Sequence, residues 1–390
     1  MDWPSQVVED IPPRIFRPPF CPWPACYSHR PGDASSARFR RHGVFVRRFD
    51  GRVVPRFRCL ACGRTCSLQT FAFSYYLKRP ALSVPIAAGL VAGSAHRQLG
   101  RSLGCSPSTV TRRSARLGRH GLLLCSLARS AVAAIPEPVV VDHFETFAFS
   151  QDHPVGLATA VGSRSWFVYD LDPAPHRRAG HLSPAQRHRL ARHRPRRPPW
   201  GGYERSFHRV LDLLAAGAPG PAPLTLVSDG HLSYAQALAR HPERRRFTHF
   251  TYPNPPRGPK GSPRSPQARV RDRAMFPVDL LHGLMRHSCA HHRRETIAFG
   301  RRVNALLERG FLLAAWRNFV KGRSERRRDA PTPAIELGLT PERWSWQRLL
   351  ARRLFPSRLQ VPEAWMRTYR REWGTPDIGH DAPHTLKRAY

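Results

Sequence analysis

Three runs of strand-forming residues follow one another from Val139, VVVDHFETFAF, VGLATAV and SWFVYDL, separated by turn-forming Gly, Ser and Pro. Consecutive runs of this kind predict an antiparallel meander. A helical stretch from about Tyr203 to Ala216 then leads into LTLVSDG, a buried strand ending in a turn, and HLSYAQALAR, a short helix. A meander continued by β-α-β-α alternation predicts an α/β core.

Two aspartates leave these strands. Asp142 follows three valines, so its charge would be buried at a cost unless it meets a metal ion or a sheet edge. Asp229 stands at the carboxyl end of LTLVS, where α/β sheets place ligands. The competing reading of Asp229 is a helix N-cap before His231. Phosphoryl transfer with two metal ions needs carboxylates that hold the ions about 3.5–4 Å apart. Hard oxygen ligands suit Mg2+ or Mn2+. Glu145 is no partner for Asp142, because an offset of three points to the opposite face of a strand.

The charge balance says what such a core would act on. The 390 residues carry 64 Lys+Arg against 27 Asp+Glu, a formal charge of +37, which attracts polyanions through counterion release. Only Lys78, Lys260, Lys321 and Lys387 are lysines, and the other 60 basic residues are arginines. Genomic bias explains arginine in place of lysine but not the scarcity of acids. Nucleic acid, and double-stranded DNA in particular, is the expected partner. MDWPSQVVED carries no secretion signal, and the chain is expected in the cytoplasm. The most apolar stretch, Leu82 to Gly93, is broken by Pro85 and falls short of the roughly 20 residues of a membrane span, so no membrane segment is expected. Eight cysteines in a reducing compartment read as metal ligands and buried thiols.

At this length two or three domains are expected. Residues 1–80 are Pro- and Gly-rich short strands and turns with too little core to fold unaided. Cys21-Pro-Trp-Pro-Ala-Cys26 and Cys59-Leu-Ala-Cys62 form two knuckles able to turn four thiolates toward one Zn2+, which would supply the missing folding free energy. Cys66 is a bystander or a substitute for Cys62, and His29 and His42 are expected at the surface. Residues 81–134 contain a helix-turn-helix pattern. Ala95, Leu99 and Leu103 share a face, Gly104 ends the first helix, Ser106 caps the second and Pro107 starts it. Val110, Ser114 and Leu117 then face inward, leaving Ser108, Thr109, Arg112, Arg113 and Arg116 outward to meet the major groove. The bland alternative is a helical hairpin with a solvated basic face.

A linker, Ile135 to Pro138, precedes the α/β region, 139–325. Within it, 173–203 is an irregular insertion with eight arginines and no acid, and NPPRGPKGSPRSPQARVRDR is an irregular loop. Helices are expected from about Met275 to Val320. Arg264, Arg269, Arg271 and others in the loop, with Arg286, Arg293 and Arg294, are the expected phosphate-holding residues. His287, His291 and His292 read as solvated or backbone-contacting, not as a metal cluster. The extension 326–390 contributes Trp344, Trp346, Trp365 and Trp373 to packing.

VVVDHFETF, LVSDGHLSY and TIAFGRRVNALLERGFLLAAWRNFVK with TPAIELGLT resemble, in order and spacing, the catalytic domain of DDE-type insertion-sequence transposases over roughly residues 139–340. The front end is similar to the zinc-ribbon and helix-turn-helix modules of the same enzymes. The resemblance implies a ribonuclease-H-like core, a third acid on a later helix, cleavage of a phosphodiester at an element end by water, attack of the freed 3′-OH on target DNA, and a homo-oligomer that pairs two ends. The family's Val-Glu-Arg-x-Asn stretch falls on Val278-Asp279-Leu280-Leu281-His282, making Asp279 the expected third carboxylate, with Glu295 and Asp272 as competitors. Two rival readings remain: a non-catalytic DNA-binding regulator derived from such an enzyme, and a nuclease of the same fold without strand transfer.

Overall fold

The computed structural model describes residues 6–375, apart from 31–37, 133, 179, 181, 194–197, 219, 221, 257, 260 and 294–295. It is a mixed α/β protein with two sheets. The smaller is an antiparallel sheet of β1 (Phe39–Val46), β2 (Val53–Cys59) and β3 (Thr65–Ser67) in sequence order, closed by a single turn of helix, α1 (Leu68–Phe71). Its apolar residues are few. Val8, Phe16, Val54, Phe57, Leu68 and Phe71 form a separate cluster that is completed from far along the chain by Phe355.

Three helices follow, α2 (Ser83–Val91), α3 (His96–Ser102) and α4 (Pro107–Ala131). The expected turn chemistry is present. Gly104 takes φ +56°, Ser106 Oγ accepts from the Thr109 N–H, and Pro107 occupies the first turn, where its missing N–H costs nothing. Val110, Ser114 and Leu117 are buried as expected. Arg113 is a correction: it too is buried, donating to the Arg79 carbonyl at 3.1 Å. Arg116 also turns back, donating to the Phe73 carbonyl at 2.6 Å with its guanidinium 5.2 Å from the Phe73 ring centre. The second helix is not a free-standing rod. The chain before α2 lies against it and takes up the arginines on that side.

The larger sheet has the order β6-β5-β4-β7-β8, where β4 is Val139–Phe147, β5 Pro154–Gly162, β6 Val168–Pro175, β7 Leu224–Ser228 and β8 Phe247–Thr251. The first three are the expected antiparallel meander, while β7 and β8 run parallel to β4. Between β6 and β7 lie α5 (Pro184–His193) and α6 (Gly202–Ala216), and between β7 and β8 lies α7 (Leu232–Arg240). The helix α5 corrects the irregular reading of 173–203: the Ser183 hydroxyl accepts from the Gln186 N–H at 3.2 Å and Pro184 supplies the first helical residue. Residues 179, 181 and 194–197 of that stretch lie outside the described residues.

Two long helices come next, α8 (Pro266–Ser288) and α9 (Val303–Phe319). Along β4 the odd residue His143 meets Tyr203 of α6, with ring centres 4.1 Å apart, and the even residue Phe144 meets His282 of α8 at 5.3 Å. The sheet is therefore covered on both faces, which explains why β5 reads as one continuous buried run. The irregular loop expected up to Arg273 is shorter. Ser265 caps α8, its hydroxyl accepting from the Ala268 N–H at 3.1 Å, so Pro266 begins a helix instead of forbidding one. Among the described residues no helix is long and apolar enough to cross a membrane.

The last described segment ties these parts together. Trp344, Trp365 and Trp373 are buried in the main core, Phe355 in the small cluster, and His120 of α4 donates Nε2–H to the Leu349 carbonyl at 2.9 Å. Burial is the main cause that pulls the His120 pKa down to about 4. An unfolded histidine titrates near 6.5, so this stability is fully present above about pH 6.5 and is lost as pH falls toward 4, at about 1.4 kcal/mol per pH unit. Denaturant midpoints measured at pH 7, 6 and 5 are expected to fall more steeply for the parent than for His120→Gln. Equal slopes would remove His120 as a source of acid sensitivity.

Candidate functional site

The ladder between β4 and β7 pairs Val139 with Leu226 and Val140 with Val227, and two residues further along each strand stand Asp142 and Asp229. The fold thus sets Asp142, the fourth of the nine residues of β4, and Asp229, just past the carboxyl end of β7, at the same level of adjacent parallel strands. Asp142 Oδ1 accepts from the His143 N–H at 2.8 Å and from the Tyr234 hydroxyl at 3.3 Å. That hydroxyl is itself held at 2.8 Å by His143 Nδ1. Burial first, then the charge of Asp229, then that of Asp279, push the Asp142 pKa up to about 7, opposed by the two hydrogen bonds. A carboxyl so placed gains from a cation. Asp229 accepts from the His231 N–H at 3.0 Å and from Asn254 Nδ2 at 3.2 Å, one oxygen for each. It is not the cap of α7. His231 is, through a ring nitrogen that accepts from the Ser233 N–H.

The third position differs from expectation. Asp279 lies on α8 near enough to raise Asp142, but both its oxygens are taken by Arg271, the bond from Nη2 measuring 3.3 Å. Asp272 is paired with Arg264, Glu145 points away and sits 3.4 Å from His176 Nε2, and Glu295 lies outside the described residues. One turn beyond Asp279, His282 reaches over β4, its Nδ1 3.8 Å from Asp142 Oδ2 and its Nε2 2.8 Å from Thr159 Oγ1. Burial, with Arg286 and Arg271 nearby, lowers its pKa to about 3, so the ring is neutral. Tyr234, Asn254 and Thr159 escape a reading of the sequence. No periodicity distinguishes them, because each acts on an aspartate carried by another element.

The cysteine quartet is tighter. Ligand atoms of Cys21, Cys26, Cys59 and Cys62 all lie within 4.8 Å of one another, with Sγ–Sγ distances of 3.6 Å for Cys21–Cys62 and 3.9 Å for Cys26–Cys59. Four thiolates about 2.3 Å from one Zn2+ stand about 3.8 Å apart at tetrahedral corners. The residues therefore fit that ion. Gly63, at φ +72°, lets its N–H reach the Cys59 carbonyl at 2.9 Å and turn the second knuckle. Burial pushes the Cys21 and Cys26 thiols up, and Cys66, raised to about 12 by burial, belongs to the apolar cluster. His29 is buried, contrary to expectation, with Nδ1 2.7 Å from the Cys21 carbonyl and Nε2 2.8 Å from Ser357 Oγ, so it braces the knuckle and is not a ligand.

His208, Asp212 and His241 form a second close grouping. Here His241 Nδ1 accepts from the Glu243 N–H at 3.1 Å, which leaves the proton on Nε2, 3.2 Å from Asp212 Oδ1. That proton satisfies Asp212 without a metal ion. His291 and His292 are buried rather than solvated, with rings 3.9 Å apart, and His292 Nδ1 lies 3.2 Å from Thr146 Oγ1.

Of the expected DNA-facing residues, Ser108 and Arg112 are exposed and Thr109 is half-buried. Arg269 donates to the Arg264 carbonyl at 3.2 Å. Arg286 packs over the Phe144 ring at 4.2 Å and donates to the carbonyls of His292 and Glu145. Arg271 and Arg286 thus brace the site's surroundings, and Arg294 lies outside the described residues. A cleft of about 1340 Å³ opens beside Arg112, between α3, α4 and the segment joining α8 to α9. Arg97, Arg101, Arg112, Arg301 and Arg302 line it, with Glu308 as its one acid among the described residues. No known family model matches the chain, and no curated protein matches it.

Proposed function

We propose that the chain is a metal-dependent DNA transposase of the DDE type, with a zinc-ribbon module over 1–80, a helix-turn-helix module over 81–134 and a ribonuclease-H-like catalytic core over 139–325. The observation that carries this reading is the placement of Asp142, within β4, beside Asp229, just past the end of the adjacent parallel strand β7. Support also comes from the sheet, three antiparallel strands extended by two parallel ones with helices on both faces. Asp142 and Asp229 would hold Mg2+ or Mn2+, which when bound supplies positive charge at the scissile phosphate and a more acidic water. Tyr234 and the His143 N–H hold one oxygen of the Asp142 carboxylate, which would leave the other for the ion. Arg112 and Ser108 at the start of α4, with the arginine-lined cleft beside them, would take the DNA backbone. Two element ends brought together imply a homo-oligomer on DNA.

The pairing of Asp279 with Arg271 favours the rival reading of a DNA-binding regulator with a decayed site. Cleavage of DNA carrying the element's ends separates the two. The parent is expected to cut only with Mg2+ or Mn2+ and to yield joined products, and Asp142→Asn and Asp229→Asn are expected to lose cleavage while retaining DNA binding. A parent that binds those ends and never cuts them sinks the enzyme reading, and cleavage without joined products makes it a nuclease.

A further inference from the structure

We propose that the cleft between α3, α4 and the segment joining α8 to α9 is a seat for an unpaired DNA strand, its phosphates held by Arg97, Arg101, Arg301 and Arg309 and its bases laid against Ile297 and Phe299. This rests on the DNA-binding reading above and deepens it by naming the form of DNA that enters. Nine arginines line the cleft, and among the described residues Glu308 is the one acid there. Glu308 is already shared by Arg119 at 3.1 Å and Arg371 at 3.2 Å, so no described carboxylate of the lining is left for Arg97, Arg101, Arg112, Arg301 and Arg309. Positive charge gathered in a concave site focuses its field on the anion it draws in.

These arginines stand on a frame that is already tied together. A guanidinium only donates, so Arg309 Nη2 gives its hydrogen to His96 Nε2 at 2.8 Å. Thr111 Oγ1 gives its single hydrogen to the Pro107 carbonyl at 3.0 Å, and therefore accepts from His96 Nδ1–H at 2.8 Å. The chain Arg309–His96–Thr111 thus joins α9, α3 and α4, and the His96 ring is neutral and takes none of the charge from Arg309. Gln98 Oε1 accepts from the Ala95 N–H at 2.7 Å and fixes the start of α3. Four residues apart on that helix, Arg97 and Arg101 share a face, and both are exposed, as is Arg301. A phosphate backbone therefore meets donors whose supporting elements need no rearrangement.

Size and polarity select a single strand. The grooves of B-DNA are about 8.5 and 7.5 Å deep, so a duplex is at least about 16 Å across and, at a rise of about 3.4 Å, fills roughly 700 Å³ per base pair. The cleft, at about 1340 Å³, equals about two such pairs, too little for a duplex to enter and enough for several nucleotides of one strand. A duplex also keeps its base faces inside, whereas Ile297, fully exposed, and Phe299 give the lining apolar surface that only unstacked bases can cover. Ser108 and Arg112, exposed at the start of α4, remain for the paired DNA beside it.

The test is fluorescence anisotropy of the zinc-loaded full-length protein with labelled oligothymidylate, alone and annealed to oligoadenylate, over a salt series. The parent is expected to bind the single strand. Each phosphate contact adds about 0.7 to the salt slope of a single strand, so Arg97→Ala combined with Arg301→Ala should lower that slope by about 1.4. The same pair should weaken strand binding at least about tenfold, and at least about threefold more than it weakens duplex binding. Ile297→Ser should weaken strand binding about fivefold with the slope unchanged. Arg244→Ala combined with Arg245→Ala removes the same charge from exposed positions outside the cleft and should leave strand binding within about twofold of the parent. Equal losses for strand and duplex in the cleft variant overturn the strand assignment and leave DNA binding standing. Full displacement of the strand by inorganic phosphate at matched ionic strength overturns it too, marking a pocket for a small anion. A parent that binds the strand yet never cuts DNA keeps this site while the enzyme reading falls, and a parent that binds neither strand nor duplex fells both.

Discussion

Replacing Cys59 by serine is expected to remove the bound zinc and to unfold the small sheet and both knuckles while the five-stranded sheet remains intact. The four sulfurs lie within 4.8 Å of one another, and Cys21, Cys26 and Cys59 are buried. Without an ion, burial holds the Cys21 and Cys26 thiols above their ordinary range. With Zn2+ bound, all four would ionise and the ion would contribute an apparent 10–16 kcal/mol, roughly, at pH 7. Nothing else in the segment is of that size. Each buried apolar side chain adds roughly 1.5–3 kcal/mol, while fixing each residue's backbone costs roughly 1–2 kcal/mol. The cluster around Phe57 has few such side chains and borrows Phe355 from the far end of the chain. The measurement is zinc stoichiometry together with hydrogen exchange resolved by peptide. The parent should carry one zinc per chain, Cys66→Ser should keep it, and Cys59→Ser should lose both the zinc and the protection over β1–β3. Zinc retained in Cys59→Ser would refute the four-cysteine site.

What can be read from the sequence is what local chemistry decides. The meander, the LTLVS strand and α6 follow from strand- and helix-forming runs bounded by turn residues, and α6 begins within one residue of expectation, at Gly202. The cap of α4 follows from Ser106 and Pro107, and the cysteine quartet from its spacing. What escapes is decided by partners remote in sequence. Asp170 and Asp172 are buried on β6, made tolerable by Trp365 Nε1 at 2.6 Å and by Arg209. The inward turn of Arg113 depends on the Arg79 carbonyl, 34 residues away. Pro266 reads as a structure breaker because proline's effect changes sign with position, forbidden inside a helix and favoured at its first turn. At the candidate site, Asp142 announces itself as a charge inside an apolar strand and Asp229 by leaving one. The identity of the third group turns on whether Arg271 holds Asp279, which only the packing of α8 reveals.

The glycines of α4 show the same dependence on packing and give the sharpest contrast between two identical substitutions. Gly118 and Gly121 sit where α4 crosses α9 so closely that a Cβ on Gly118 would lie 2.1 Å from the Glu308 carbonyl oxygen, and one on Gly121 2.7 Å from that of Phe311. Both contacts are with backbone, which cannot rotate away. Local propensity argues the other way, since alanine is favoured over glycine in a helix interior by about 1 kcal/mol. Overpacking of this kind costs roughly 1–3 kcal/mol and sometimes more, and here α9 would also drag Glu308 from its buried pairing with Arg119 Nη1 at 3.1 Å and Arg371 Nε at 3.2 Å. The clash therefore wins. Gly118→Ala is expected to lower stability by about 2 kcal/mol or more, and Gly118→Val by more again. Gly283, in the interior of α8 and exposed, has open space where an alanine methyl would stand, with nothing within 4 Å, so Gly283→Ala should raise stability by up to about 1 kcal/mol. Denaturant midpoints of the three variants decide the matter. If Gly118→Ala is as stable as the parent, the helices do not cross at the glycine notch and the packing of α4 on α9, with the placement of α3 and α4 beside the arginine-lined cleft, must be redrawn.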